Sequence, residues 1–471
     1  MAMGRKKKQR QEVLFVVTAD LPRTPSHPFY EYLNQVLAAH GFDAVVEELC
    51  RKFYHDKMGR PSLPPGIYFR MLLIGYFEGI DSERGIAWRV ADSLSLRAFV
   101  GVGVNETSPD HSTVSRNRRA IDLEAHQEVF AWVLTLLAKE HLLRGKTIGV
   151  DATTLEANAA LRSIVRRDSK EPYQEFLTRL AQASGIQTPT REDLAKLDRE
   201  RPKKGSNKEW EHPFDPEARI TKMKDGSTHL AHKAEHAVDM GEGSVGAVLA
   251  VTLQGADQGD TKTIINTVAQ AQENMAVLMA APQTAQHIHA EPIREVIADK
   301  GYHSNDIMMW MDQEEIRSYA SEPKRGKRRW KDKAAARAAV YANRRRIRSH
   351  RGKRLIRRRG ELVERSMAHA YETGRMRRLH LRGNQNILKR LLVHVGGFNL
   401  SLIMRKHLGK GTPRGFQRLF WRLFCILVML WNALPTRRRS LPTKWTARRS
   451  LPVPINPSES VREKVKFTTG C

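Results

Sequence analysis

Two stretches of the chain end an apolar run on an aspartate. "TIGVDATTLEAN" leads through Ile148 and Val150 to Asp151, and "EVIADKGYHS" leads through Val296, Ile297 and Ala298 to Asp299. Aspartate is an ordinary turn residue, as is the glycine (Gly301) that follows Asp299, so each stretch alone reads as a strand meeting a turn. Two carboxylates at two strand ends have a second reading, as ligands for divalent ions. A third acid is then needed where the chain folds back over the sheet. Glu364, on a helix predicted over 361–374, is the candidate, against a plain reading as a solvated helix side chain. Carboxylate oxygens suit Mg²⁺, which binds through a few acids and otherwise through water and phosphate. Two such ions about 4 Å apart activate a water or a 3′-hydroxyl and stabilise the leaving oxygen of an in-line phosphoryl transfer.

The elements that must position these acids follow from periodicity. Strand signals recur at 228–240 and 244–254, with Gly241 and Gly243 bounding a hairpin turn, then at "REVIAD" and 316–321. Helices are predicted over 263–279, 305–315 and 385–406. Residues 161–214 are charged, lack a strong apolar face and read as an insertion or a mobile arm. Upstream, 27–145 is mostly helical, with apolar residues at three- and four-residue spacing and visible caps. Pro64 and Pro65 precede Ile67, Asp81 and Ser82 precede the next helix, and Ser108–Asp110 lead into "HSTVSRNRRAI". That last helix suits a helix-turn-helix meeting DNA, with Arg116, Arg118 and Arg119 as candidate contacts. A basic, solvated amphipathic helix is the alternative, and these residues alone do not decide between the two.

The chain has 471 residues, with 80 Lys and Arg against 51 Asp and Glu and a formal net charge of +29. Such an excess attracts phosphate polymers, because each neutralised phosphate releases condensed counterions. The densest basic stretch is 323–360, expected to hold phosphates without reading bases. Three dispersed cysteines, Cys50, Cys425 and Cys471, with no CxxC, exclude a disulfide framework and a Cys-rich zinc knuckle, and fit a reducing cytoplasm. The apolar run at 423–431 is about half of what crosses a bilayer and is expected to be a buried or partner-facing helix. From 436 onward the chain is rich in Arg, Pro and Ser without periodicity, the composition of a disordered basic tail.

Several blocks, in order, resemble bacterial insertion-sequence transposases of the DDE class: "TIGVDATTLEANAA", "DPEARITKMKDG", "HLAHKAEHAVD", "VTLQGADQGDT", "VIADKGYHS" and "GELVERSMAHAYETGRMRRLHLRGNQN". Upstream, "GRPSLPPGIYFRMLLIGYFEGI" and "SERGIAWRVADSLSLRAFVG" are similar to their N-terminal helical domain. The resemblance implies an α/β fold, a ribonuclease-H-like mixed sheet flanked by helices, preceded by an all-α helix-turn-helix-like DNA-binding domain. The expected organisation is an N-terminal arm (1–26), the helical domain (27–145), the catalytic domain (146–405, with the insertion at about 161–214) and a C-terminal extension (406–471).

Carried over by position, Asp151, Asp299 and Glu364 match the three family acids and would be both catalytic and metal-binding, for Mg²⁺ or alternatively Mn²⁺. Lys300 would meet a phosphate, Gly301 would let backbone approach DNA closely, and Tyr302 would stack or pack. Asp215 and Arg219 match a family pattern read here as a structural ion pair. A slipped register would make Glu361 the third acid, three residues earlier on the same helix face. The family commonly carries an aromatic and then a lysine after its glutamate; Met367 and Tyr371 stand in those places, leaving Arg375, Arg377 and Arg378 as substitutes.

The implied function is a DNA transposase, a homodimer on double-stranded DNA in the bacterial cytoplasm at the nucleoid. It would bind the terminal inverted repeats of its element and cut and join DNA there with Mg²⁺. A nuclease of the same fold and a catalytically inactive, transposase-derived DNA-binding protein are the alternatives. A basic RNA-binding protein would explain the charge but not the three acids, and no RNA-reading module is visible.

Overall fold

The computed structural model describes residues 26–54, 62–201, 205–223, 226–324, 326 and 328–416. The N-terminal arm, the apolar run at 423–431 with Cys425, and the basic tail with Cys471 lie outside the described residues. The first part is helical: α1 (Pro28–Ala39), α2 (Phe42–Cys50), α3 (Pro65–Glu78), α4 (Glu83–Ala91), α5 (Leu94–Val100), α6 (His111–Ala120) and α7 (Leu123–Lys139). Helix α3 is apolar on all sides and nearly every residue in it is buried, so it is the hub on which α2, α4 and α5 pack. The expected caps are present. Pro65 opens α3, Ser82 accepts from the Gly85 N–H at 3.1 Å, and Asp110 accepts from the Ser112 N–H at 2.8 Å to start α6.

The strands are β1 (Thr147–Glu156), β2 (Val165–Arg166), β3 (Trp210–Glu211), β4 (Arg219–Lys222), β5 (Thr228–Asp239), β6 (Val248–Gly255), β7 (Glu295–Ala298) and β8 (Arg317–Ala320). Six of them form one mixed sheet in the order β4-β5-β1-β7-β8, with β6 also on β5. Strands β4 and β6 lie end to end along one edge of β5, and β1 lies along the other. β5 runs antiparallel to β1, β4 and β6, whereas β7 and β8 run parallel to β1. This is the ribonuclease-H-like mixed sheet that the resemblance implies.

The remaining helices are α8 (Tyr173–Ala183), α9 (Arg191–Glu200), α10 (Asp260–Ala280), α11 (Pro282–Ala285), α12 (Asn305–Gln313), α13 (Ala334–Arg348), α14 (His350–Met367) and α15 (Asn384–Leu408). Helix α14 crosses one face of the sheet over β7, β1 and β5, and α10 covers the other face behind β5 and β6. With both faces covered, β5, β7 and the first half of β1 are buried; β7 past Glu295 and the start of β1 are apolar, while β5 buries polar side chains such as Glu235 and His236. The charged segment 161–214 carries α8, α9 and the β2–β3 ribbon, closed over small apolar contacts around Trp210 and Leu177.

Helix α15 is long and apolar enough to cross a membrane, but 94% of its apolar window is buried inside the protein. It lies against α3 and α7 on one side and β6 on the other, so it is a core helix. The helical part and the sheet therefore share one apolar core, running from Phe29 to Met404. The expected boundary at 145/146 marks where helices give way to strands and does not separate two cores.

Candidate active site

Strands β1 and β7 pair in parallel from Thr147↔Glu295 to Val150↔Ala298, and the next residues in that register are Asp151 and Asp299. Neighbouring strands run about 4.8 Å apart, so the two acids stand side by side. Alternation puts Glu295, Ile297 and Asp299 on one face. The Glu295 carboxylate on that face meets the Arg351 guanidinium of α14 at 2.5 and 2.7 Å, which identifies the face as the one under α14. Asp151 points the same way, since its Oδ2 accepts from Arg359 of α14 at 2.7 Å. Asp299 follows the last residue of β7 as expected, but Asp151 lies inside β1, which continues to Glu156.

Close approach of helix to strand depends on Gly149. A Cβ there would press on the Met240 sulfur and on Val363 and Arg359 of α14. Leu355, Arg359, Val363 and Ser366 form the inward face of α14, with Ser366 reaching the His236 ring on β5 at 3.1 Å. Glu364 and Glu361 are both exposed. By the helical period, Glu364 shares a flank with Gly360 and Met367. Glu361 lies beside Arg358 and Arg365, which donate to the Ser244 and Val245 carbonyls. Three residues apart on one helix, the two glutamates lie about 60° from each other and share its exposed side, as expected.

Among the described residues no group of three His, Cys, Asp or Glu is placed to hold one metal ion. The sheet pairs Asp151 with Asp299, and Glu364 stands on the crossing helix outside a shared coordination sphere. The donor chemistry of the pair is that of a hard divalent ion, being all oxygen. Of the Asp151 oxygens, Oδ1 accepts the Ala152 N–H at 2.9 Å and Oδ2 is held by Arg359. Arg359 thus neutralises a carboxylate that an ion would otherwise take up.

The turn carrying Asp299 is anchored from behind the sheet. Tyr302 is buried and donates to Glu235 of β5 at 2.7 Å. Thr263 and Thr267 of α10 also donate to Glu235. Burial pushes the Glu235 carboxyl up, against these hydrogen bonds and the Lys233 charge, which pull it down. Lys233 in turn binds Asp260 at 2.6 Å. Tyr302 therefore packs and anchors; it does not stack on a base. A Cβ on Gly301 would meet the Asp260 carboxylate, so the close approach this glycine permits is to α10, not to DNA. Lys300 is exposed beside Asp299.

The other expected DNA contacts divide. Arg377 lies on the acid face, donating to Thr153 at 2.7 Å and pairing with Glu372 at 2.5 Å. Arg378 is largely exposed near Glu156, and Arg375 is exposed. Tyr371, in the family's lysine place, is buried with its hydroxyl 2.7 Å from His236 and belongs to the core. Arg116 and Arg119 are exposed on α6. Arg118 is not available to DNA, because it is buried between Glu83 at 2.7 Å and Asn386 at 2.7 Å. Asp215 and Arg219 do not pair with each other; buried Asp215 meets His232 at 3.1 Å and Arg219 lies 3.7 Å from Asp257.

The basic stretch 323–360 is also divided. Arg328 and Arg344 both pair with Glu322 at 2.7 Å, Arg346 donates to Ser318, and Arg351 pairs with Glu295. These side chains bind the helices to the sheet edge. Arg359 and the Glu235–Tyr302 contact were invisible in the sequence. The first is one arginine in the run "RRRG", and the second joins residues 67 positions apart.

Two family models match the chain. A transposase domain matches residues 21–120, and a transposase DDE domain matches residues 193–400, a span that holds Asp299 and Glu364 and begins after Asp151. No curated protein matches it.

Proposed function

Since the chain belongs to the insertion-sequence transposases of the DDE class, we propose that it binds the terminal inverted repeats of its own element and cuts and joins DNA there. Asp151 and Asp299 would hold the divalent ions that the family uses, Mg²⁺ first and Mn²⁺ as a substitute, and Glu364 would join them once α14 brings its carboxylate within reach. When bound, those ions supply Lewis-acid activation of the attacking oxygen and neutralise the leaving one. The observation that carries this reading is the register of two parallel strands, which sets Asp151 beside Asp299 on the face crossed by the helix of Glu364.

The protein's own side chains account for the rest. Tyr302 and Glu235 fix the turn behind Asp299. Lys300 beside Asp299 and Arg377 at Thr153 set positive charge next to the acid pair and would hold the phosphates on either side of the scissile bond, while Arg378 at Glu156, with Arg375, would hold the strand further along. Arg116 and Arg119 on α6 would contact the inverted repeat. Two element ends must be processed together, so a homodimer assembled on double-stranded DNA in the bacterial cytoplasm is part of the proposal.

Arg359 favours a second reading, a DNA-binding protein of this fold without catalysis, because it already occupies an oxygen of Asp151. A strand-transfer assay on the element's own ends, with and without Mg²⁺, separates the readings. The transposase yields joined product only with the ion and none after Asp299→Asn. Joined product from Asp299→Asn would overturn the site, cutting without joining would indicate a nuclease, and binding alone would indicate the inactive form.

A further inference from the structure

Helix α14 has cations on both sides, and those on the side turned away from the sheet line a groove of about 700 Å³. Arg354, Arg357, Arg358 and Arg365 enter it from α14, and Arg405 and Lys406 from the end of α15. Among the described residues lining the groove there is one acid, Glu361. Lys406 is paired with Glu140 at 2.8 Å, and Arg358 and Arg365 donate to backbone carbonyls of the β5–β6 turn. Arg354, Arg357 and Arg405 donate to no carboxylate among the described residues. Burial and the neighbouring Arg405 hold the Arg365 guanidinium below its usual range, and His369 beside it is lowered by burial and by both arginines. Like charges gathered from two helices repel one another, so this arrangement is favourable once an anion fills it.

From Arg354 to Arg365 the row extends roughly 16 Å along α14 at a rise of 1.5 Å per residue. That matches about five base-pair steps of a duplex, where a free phosphate would engage only one or two of these side chains. No aromatic side chain lines the groove, so its contacts would be to backbone and not to bases. Helix α14 also stands between the groove and the acid pair, since Arg359 and Val363 face β1.

We propose that this groove binds the sugar-phosphate backbone of a second stretch of DNA duplex, on the far side of α14 from the strand lying at Asp151 and Asp299. The inference rests on the transposase reading and deepens it, because joining requires two duplex segments to be held at once. One lies at the acids, and the other is gripped by Arg357, Arg405 and their neighbours.

The test is a salt titration of binding, with the full chain and a labelled duplex of unrelated sequence. Each lost phosphate contact lowers the slope of log Kobs against log salt by about 1. Arg357→Ala with Arg405→Ala should therefore lower the slope by about 2 and weaken binding about tenfold or more at moderate salt. Both positions are exposed and removing them relieves repulsion, so the melting temperature should hold. Glu361→Gln, which needs no other change, should bind the duplex more tightly, and Asp299→Asn should bind it as the wild type does. A double variant with the wild-type slope and affinity, or Glu361→Gln with no gain, would overturn the groove while leaving the acid site standing. A wild-type chain that binds no duplex would end the transposase reading itself. Displacement of the duplex by inorganic phosphate at equal phosphate concentration would overturn the assignment to a polymer.

Discussion

Arg359 donates to Asp151 at 2.7 Å with both side chains largely withdrawn from water, 12% and 27% exposed. Removing one partner of such a pair leaves the other charge poorly solvated, at a cost of about 1–3 kcal/mol. Arg359→Ala should therefore melt earlier than wild type in chelator. It should also gain more melting temperature from MnCl₂ than wild type does, because the freed carboxylate can take the ion. Equal gains in the two proteins would show that Arg359 does not compete for the site. Tyr302→Phe tests the anchor behind Asp299: the loss of one hydrogen bond, about 1 kcal/mol, should weaken Mn²⁺ binding measured by calorimetry with the fold intact. Unchanged Mn²⁺ affinity would confine Tyr302 to packing. At this scale the sequence was legible for the two aspartates, since a carboxylate after a short apolar run has a local signature. It was not legible for Arg118 or Arg359, whose partners Glu83 and Asp151 are 35 and 208 positions away. Nothing local distinguishes an arginine that will be buried in an ion pair from one that will face DNA.

Helix α14 brings the site together, and it is the element the sequence concealed. Its first turns carry His350, Arg351, Lys353 and Arg354, cations at the end of a helix that favours anions, so the sequence predicts the helix only from 361. Its inward stripe, Gly352, Leu355, Val363 and Ser366, is too thin against so many arginines to reveal the helical period. The strands were legible where short apolar runs meet turn residues, as in β1, β6 and β7, whereas β5 buries Lys233, Glu235 and His236 and β8 opens on Arg317 and Ser318. Two variants test how the helix is seated. Gly149→Ala introduces a Cβ against Val363, Arg359 and Met240, and should cost about 1–3 kcal/mol by overpacking. Arg351→Ala strips the fully buried Glu295 of its cation and should cost a similar amount, discounted because Arg351 itself is half exposed. Arg357→Ala, which has no carboxylate partner, should leave the denaturant midpoint unchanged. Equal losses for Arg351 and Arg357 would contradict the division of the basic stretch into structural and groove-facing members.

On the scale of the whole molecule, a chain of net charge +29 has an apolar core that is continuous from the N-terminal helices to the sheet. Buried histidines inside that core set its response to acid. Burial lowers His126 to about 4 and His394 to about 3, with His126 bonded to Tyr68 and to the Asp122 carbonyl. Both folded values lie below the unfolded value near 6.5, so the unfolded chain binds protons that the folded chain refuses. The stability these neutral rings represent is complete above about pH 6.5 and is lost as pH falls toward the folded values. Melting temperature should drop steadily from pH 7 to pH 5 at constant ionic strength. A flat profile would mean that these rings are solvated.

The pairing of Asp151 with Asp299 around a divalent ion, with Glu364 overhead, is tested most directly by locating the ion. With Fe²⁺ in place of the native ion and ascorbate and peroxide added, the chain is cut wherever the metal sits. We expect backbone cuts grouped near residues 151, 299 and 364, abolished by Asp299→Asn and suppressed by excess Mg²⁺. Cuts confined to other parts of the chain, or cuts at these positions that persist in Asp299→Asn, would contradict the site.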